Sequence, residues 1–287
     1  MWLRNPNLYG CVVEWWQLGR PAFGIAMYVF AKLLQFVKYQ LKRWNRQCFR
    51  NIYQAKHVAQ VELNGITRLI REEGVSEYLL REEARALKEL EEWEMREKIF
   101  WKQKAQIKWL QEGDKNTAFF FNSVKARQHG NAISSLVTDR GEVISSTQDI
   151  ANEAAHYFAS LFREDSQGDL DAEAQVLSCI PSLVSLEMKQ HLMSPITMEE
   201  LEKTVFQMKK GKAPGPDGFP VKFFQEFWDI IKLDLLTVVQ ESQKNKQILQ
   251  AMNSTFLALI PKGDGADRLS QFRPISLCNV TYKIISK

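Results

Sequence analysis

No two of the four cysteines, Cys11, Cys48, Cys179 and Cys278, form a CxxC pair, and no histidine stands at ligand spacing from them. Thiols scattered in this way fit a reduced protein of the cytosol or nucleus, not a disulfide framework or a zinc site. His57, His129, His156 and His191 are equally scattered, so no metal ligand is assigned. Long apolar runs are missing too. PAFGIAMYVFA at 21–31 is stopped by Lys32, short of the roughly 20 residues that cross a bilayer. With Arg4, Glu14 and Arg20 before it, this run does not resemble a signal peptide, and neither membrane insertion nor export is expected.

Acidic residues are absent between Glu14 and Glu62, although the net charge of the whole chain is only +4. The same stretch holds Arg20, Lys32, Lys38, Lys42, Arg43, Arg46, Arg50 and Lys56. Two readings stay open: a solvated helix face, or a face that meets a polyanion. On the second reading Lys38, Lys42, Arg43, Arg46 and Arg50 face the backbone of RNA or DNA.

A length of 287 residues, 45% of them hydrophobic, bounds the chain to one or two globular domains. From Phe30 to about Glu112 the pattern is helical. Phe30, Leu34, Val37, Leu41, Trp44 and Cys48 step as a heptad seam; a structural helical arm is the favoured reading, and self-association through the seam is the alternative function. A break is expected near Gly65 or Gly74. Beyond it, EEARALKELEEWEMREKIFWKQKAQIKWLQ has helix-forming composition and opposite charges at i, i+3 and i+4. The two long helices cannot bury their stripes alone and should pack on each other or on a partner.

The composition then shifts. A Gly113-Asp114 turn precedes a short aromatic helix capped by Asn116 or Thr117. Asp139-Arg140-Gly141 joins two β-prone runs as a small hairpin, and IANEAAHYFASLF at 150–162 returns to helical spacing. Residues 163–174 read as a polar loop. Thr197 and Glu200 form a capping box, Leu201, Val205 and Met208 one helix face, and Gly211 its terminator. A further helix is expected from Val221 to Lys244, then strands at 254–262 and 272–277, then the start of a helix at TYKIISK.

Between these helices lies GKAPGPDGFP at 211–220, with three glycines and three prolines in ten positions. It is not a Walker loop, because the lysine comes early and Pro214, Pro216 and Pro220 remove N–H donors that a phosphate nest needs. Proline also stiffens the chain, which argues against a free linker. A rigid corner remains, with Pro214, Gly215, Pro216, Asp217 and Gly218 as turn formers. Asp217 is read as part of that turn and not as a metal ligand.

GKAPGPDGFPVKFFQEFW followed by LALIPKGDGADRLSQFRPISLCNVTYKIISK resembles the start of the reverse transcriptase domain of plant LINE-type (non-LTR) retrotransposons. Upstream, WKQKAQIKWLQEGDKNTAFFFNSVKARQ and MWLRNPNLYGCVVEWW resemble the segment between the endonuclease and the reverse transcriptase of those polyproteins. GPDG, IPK and RPISL in this order are a specific signal; each alone is weak. Two positions depart from the pattern: Phe121 stands where histidine is usual and Ala118 where a basic residue is usual, as in a drifting copy.

The resemblance implies a mainly α fold with a small β component. A helical connector spans 1–112, a small mixed region 113–175, and an incomplete α+β fingers portion 176–287. It also implies that Lys262 and Arg273, on a fingers hairpin, approach the triphosphate of an incoming dNTP. Lys supplies a point charge there and Arg a planar fork of donors. The intact family enzyme works on an RNA or DNA template-primer with magnesium, held by palm aspartates. No FADD- or YADD-like pair occurs in these 287 residues, so no polymerase or endonuclease activity is expected of the chain alone. Binding of RNA or DNA is the expected residual function.

Overall fold

The computed structural model describes residues 2–48, 51–105, 117–163, 170–181 and 183–287. It is mainly helical with a small β component. In chain order come α1 (Leu8–Leu18), α2 (Ala26–Cys48), α3 (Ile52–Glu73), α4 (Glu77–Ala105) and α5 (Thr117–Gly130). The strands β1 (Leu136–Val137) and β2 (Val143–Ile144) precede α6 (Thr147–Leu161), α7 (Leu170–Ser178), α8 (Leu186–Leu192) and α9 (Met198–Gln207). Then follow α10 (Val221–Glu226), α11 (Trp228–Asn245), α12 (Gln250–Asn253), β3 (Thr255–Pro261), β4 (Phe272–Cys278) and α13 (Val280–Ile285).

α2 buries Phe30, Leu34, Val37, Leu41 and Trp44, the positions of its heptad stripe. This stripe is filled from within the chain. Leu8, Val12 and Trp16 of α1 and Ile231, Leu235 and Val238 of α11 share its core. Each such side chain contributes roughly 1.5–3 kcal/mol on leaving water, so the stripe has no reason to stay open for a partner. Cys48, the last stripe position, is exposed. Polar bonds fix the same arrangement. Trp16 Nε1 donates to Asp234 Oδ2 at 2.8 Å, and Asp234 also pairs with Arg20. The first turn of α2 has no acid of its own; Glu241 of α11 accepts from Met27 N–H at 2.8 Å and sets a negative charge at the positive helix end. Buried residues from 8–44 and 201–284 therefore lie in one core.

The helical break falls at Gly74, whose φ of +90° favours glycine, while Gly65 lies inside α3. A second break separates α2 from α3, where Asn51 Oδ1 accepts from Tyr53 N–H at 3.0 Å. α3 and α4 pack antiparallel, with Lys56 against Glu97, Glu62 against Arg85 and Thr67 against Glu83. Trp101 and Ala105 of α4 then meet Phe120 and Val124 of α5 in a small separate core. Phe121 stands edge-on to Trp101, their ring centres 4.9 Å apart. The Gly113-Asp114 turn and the Asn116 cap lie outside the described residues.

Asp139, Arg140 and Gly141 turn the first hairpin: Gly141 has φ +81° and donates to Thr138 O at 2.9 Å. Leu136 of this hairpin, with Ile150 and Phe158 of α6, packs on Leu269 and Phe272 beside the second hairpin. α7 begins at Leu170 inside the stretch read as a loop, because LDAEAQVL is rich in strong helix formers. The Thr197–Glu200 capping box is present. α9, however, ends at Gln207 and not at Gly211. Buried Gln225 of α10 donates through Nε2 to the carbonyls of Val205 at 2.8 Å and Met208 at 3.1 Å; Val205 O also accepts from Met208 N–H at 3.3 Å. The helix expected over 221–244 is broken at Phe227, which stacks on Tyr9 at 6.0 Å and starts α11. Among the described residues no helix is long and apolar enough to cross a membrane.

Candidate functional site

At the corner, Gly218 N–H donates to Gly215 O at 3.0 Å, and Gly218 has φ +84°. Asp217 Oδ1 accepts from Phe219 N–H at 3.0 Å, a local turn of the kind aspartate favours. What fastens the corner comes from far along the chain. Asn279 Oδ1 accepts from Asp217 N–H at 3.0 Å, and Asn279 Nδ2 donates to the carbonyls of Ala251 at 3.1 Å and Met252 at 3.0 Å. Asn279 is 2% exposed, so these bonds lie out of water, where leaving them unmade is costly. Gly215 is needed for the approach, since a Cβ there would come within 2.5 Å of Asn279 Oδ1. From the other side Lys38 of α2 donates to Pro216 O at 3.2 Å. Burial raises the pKa of Asp217; the Phe219 N–H bond, Lys38 and Lys283 oppose that shift without cancelling it.

Asn279 was not singled out by sequence reasoning. The available signal was an asparagine just before a helix, a common N-cap. Here it makes no side-chain cap of α13 and binds the corner instead.

β3 and β4 pair antiparallel, with Ile260 opposite Arg273 and Pro261 opposite Phe272. Lys262 N–H continues the ladder to Gln271 O at 2.9 Å. Because side chains alternate along a strand, Lys262 and Arg273 fall on the same face as diagonal neighbours. Phe256, Ile260 and Ile275 share that face and are 57%, 39% and 42% exposed. The opposite face carries Leu259 and Phe272 into the core built on Leu136 and Phe158. One face is thus backed and the other open. Arg273 is exposed and has no carboxylate partner among the described residues; Lys262 Nζ donates to Ser270 O at 2.8 Å.

The acid-free stretch is used unevenly. Arg20 pairs with Asp234, Lys56 with Glu97, and Lys32 lies over the Tyr28 ring at 5.6 Å. Lys38 turns to the corner and is half-buried. Lys42, Arg43 and Arg46 are exposed, with no carboxylate partner among the described residues. Arg50 lies outside the described residues. No three His, Cys, Asp or Glu side chains among the described residues come together as a metal cage.

Fold and site together define a mainly helical chain in which a rigid corner and a cation-bearing β-hairpin are fastened to a basic helix. No family model matches it. The chain is similar to the Transposon TX1 uncharacterized 149 kDa protein of Xenopus laevis, at 29% identity over 211 residues. Those residues are 74% of this chain and 16% of that protein, a minor part of the relative's length. The likeness is thus to part of a transposon protein.

Proposed function

We propose that these residues are the connector and fingers portion of a plant-type LINE reverse transcriptase, and that by themselves they bind RNA or DNA without polymerising it. One observation carries this reading: GPDG, IPK and RPISL, the pieces that resemble the family, meet in one body through Asn279 and the β3–β4 ladder. On this reading Lys262 and Arg273 hold the phosphates of an incoming dNTP, and Lys42, Arg43 and Arg46 hold the nucleic-acid backbone. Magnesium in the intact enzyme needs palm aspartates. The described residues offer no fitting donor set, so no step is assigned through a metal.

Fluorescence anisotropy with a labelled single-stranded RNA, titrated at several salt concentrations, tests the binding. Changing Lys42, Arg43 and Arg46 together to alanine is expected to lower the slope of log K against log salt by about 2, some 0.7 for each phosphate no longer neutralised. An unchanged slope refutes the assignment of α2. Primer extension with template, dNTPs and Mg²⁺ or Mn²⁺ is expected to give no product above buffer. A templated product abolished by Lys262→Ala with Arg273→Ala would overturn the exclusion of catalysis.

A further inference from the structure

The solvent side of α2 carries a second period, opposite the buried one. Tyr28, Lys32, Gln35, Tyr39, Lys42 and Arg46 step by four and three residues, so they line one side of the helix, with Arg43 beside them. All of them are exposed. Rings and cations thus alternate from Tyr28 to Arg46, over about 27 Å at a rise of about 1.5 Å per residue.

A solvated helix face accounts for the cations but not for the rings. Tyrosine is not among the strong helix formers, so propensity does not call for it on this side. Tyr28 is 42% and Tyr39 64% exposed. The edge of the Tyr28 ring lies against Gly24, where a Cβ would stand 2.7 Å from its Cδ1, and Gly24 has φ +141°. Glycine there makes room for the ring and holds it at the start of the stripe. Tyr39 has no ring or hydrogen-bond partner among the described residues, so its face is free.

The charge of the stripe is equally uncommitted. Lys32, Lys42, Arg43 and Arg46 have no carboxylate partner among the described residues, and the chain has no acid from 15 to 61. On α11, which packs against α2, Asp234 is taken by Arg20 and Trp16, and Glu241 by Met27 N–H. Cations alone would suit any polyanion. Rings between them suit a strand whose bases are open, because every base has a face to stack, while in a duplex those faces are already stacked on one another.

We propose that Tyr28 and Tyr39 stack on unpaired bases of a single strand whose phosphates lie on Lys32, Lys42, Arg43 and Arg46. This rests on the nucleic-acid reading of α2 and extends it, giving the rings a role and the strand a state. At about 3.4 Å per nucleotide the stripe covers about eight nucleotides.

Fluorescence anisotropy on the full chain tests it, with a labelled single-stranded RNA of about 12 nucleotides and the corresponding duplex as probes. The single strand is expected to bind more tightly. Tyr28→Ala with Tyr39→Ala should weaken its binding at least about tenfold, at an unchanged salt slope because no cation is lost, and the loss should not appear on the duplex. Tyr28→Phe with Tyr39→Phe keeps the rings and should recover most of that affinity. Both positions are exposed, so the fold is retained, which circular dichroism checks; Tyr39→Ala alone serves where the change beside Gly24 disturbs the loop. The same strand made as DNA reads which sugar is preferred, and binding of either supports the site. If the ring-free variant binds as the parent does while the alanine changes at Lys42, Arg43 and Arg46 still lower the salt slope, stacking is overturned and the cation reading stands. A parent that binds neither probe overturns both. An equal loss on the duplex, or phenylalanines no better than alanines, would also overturn the proposal.

Discussion

Gly215→Ala is the sharpest probe of the corner. The added methyl would lie 2.5 Å from Asn279 Oδ1 and 2.6 Å from the Cys278 carbonyl carbon. Asn279 N lies nearer still, and it and the Cys278 carbon are backbone atoms of the link between β4 and α13 that cannot swing away; Asn279 Oδ1 is a side-chain end, held by the bond it accepts from Asp217 N–H. Forcing a methyl into such a site costs roughly 1–3 kcal/mol, and displacing the corner also breaks the Asp217 N–H bond to Asn279, about 1 kcal/mol more. The expected loss is about 2–4 kcal/mol, a large share of the ~5–15 kcal/mol of a typical domain. Urea unfolding followed by tryptophan fluorescence should show the midpoint falling by about 1–2 M at unchanged slope. Gly263→Ala is the control, since nothing lies within 4 Å of a Cβ there. Were the two variants to unfold within about 0.5 kcal/mol of each other, Asn279 would not press on Gly215 and the corner would not be fastened as described.

Three further outcomes test the surroundings. Asp217→Asn keeps an acceptor for Phe219 N–H but removes a charge that burial disfavours, so the variant should match or exceed the parent in stability at neutral pH. The sign follows from linkage: the folded carboxyl holds its proton more tightly than the unfolded one. Parent stability therefore rises as pH falls from the raised folded value towards about 3.9, closing the gap to the variant, and urea midpoints across that range measure it. Thr281 is buried and its hydroxyl has no hydrogen-bond partner among the described residues, so Thr281→Val should raise stability by about 1 kcal/mol in the same assay. Gln225→Met removes the donor to Val205 and Met208 and should cost about 1–3 kcal/mol; no loss would mean that another group closes α9.

Much of the architecture was legible because local rules suffice for it. Period and capping read out α2, α9 and the two hairpins, since Phe30–Trp44, Thr197–Glu200 and Asp139-Arg140-Gly141 carry their geometry in adjacent residues. What escaped depends on distant partners. The end of α9 is set by Gln225, well downstream, and not by the nearby Gly211. Phe227, at the break, stacks on Tyr9 more than two hundred residues upstream, a contact no local rule reveals. A heptad pattern states that a stripe must be covered but not by what, and α11 covers it. The site divides in the same way. Turn chemistry at Pro216-Asp217-Gly218 could be read locally, whereas Asn279 and Lys38 join it only through tertiary packing.

That packing constrains the functional reading. Lys38 and Lys42 are one turn apart on α2, so the helix that binds Pro216 O also carries Lys42, Arg43 and Arg46, which have no carboxylate partner among the described residues. On the other side Asn279 ties the same corner to the end of β4, the strand that carries Arg273. The basic ridge and the hairpin cations are thus connected through one short, proline-stiffened turn and not through a linker. If both meet one nucleic acid, as proposed, their spacing is fixed by the corner. A corner variant that stays folded should then weaken RNA binding even though no cation has been removed. Gly215→Ala, assayed for RNA binding at temperatures where it stays folded, separates the two possibilities. Unchanged affinity means that ridge and hairpin act alone, and reduced affinity with an unchanged salt slope means that the corner sets their distance.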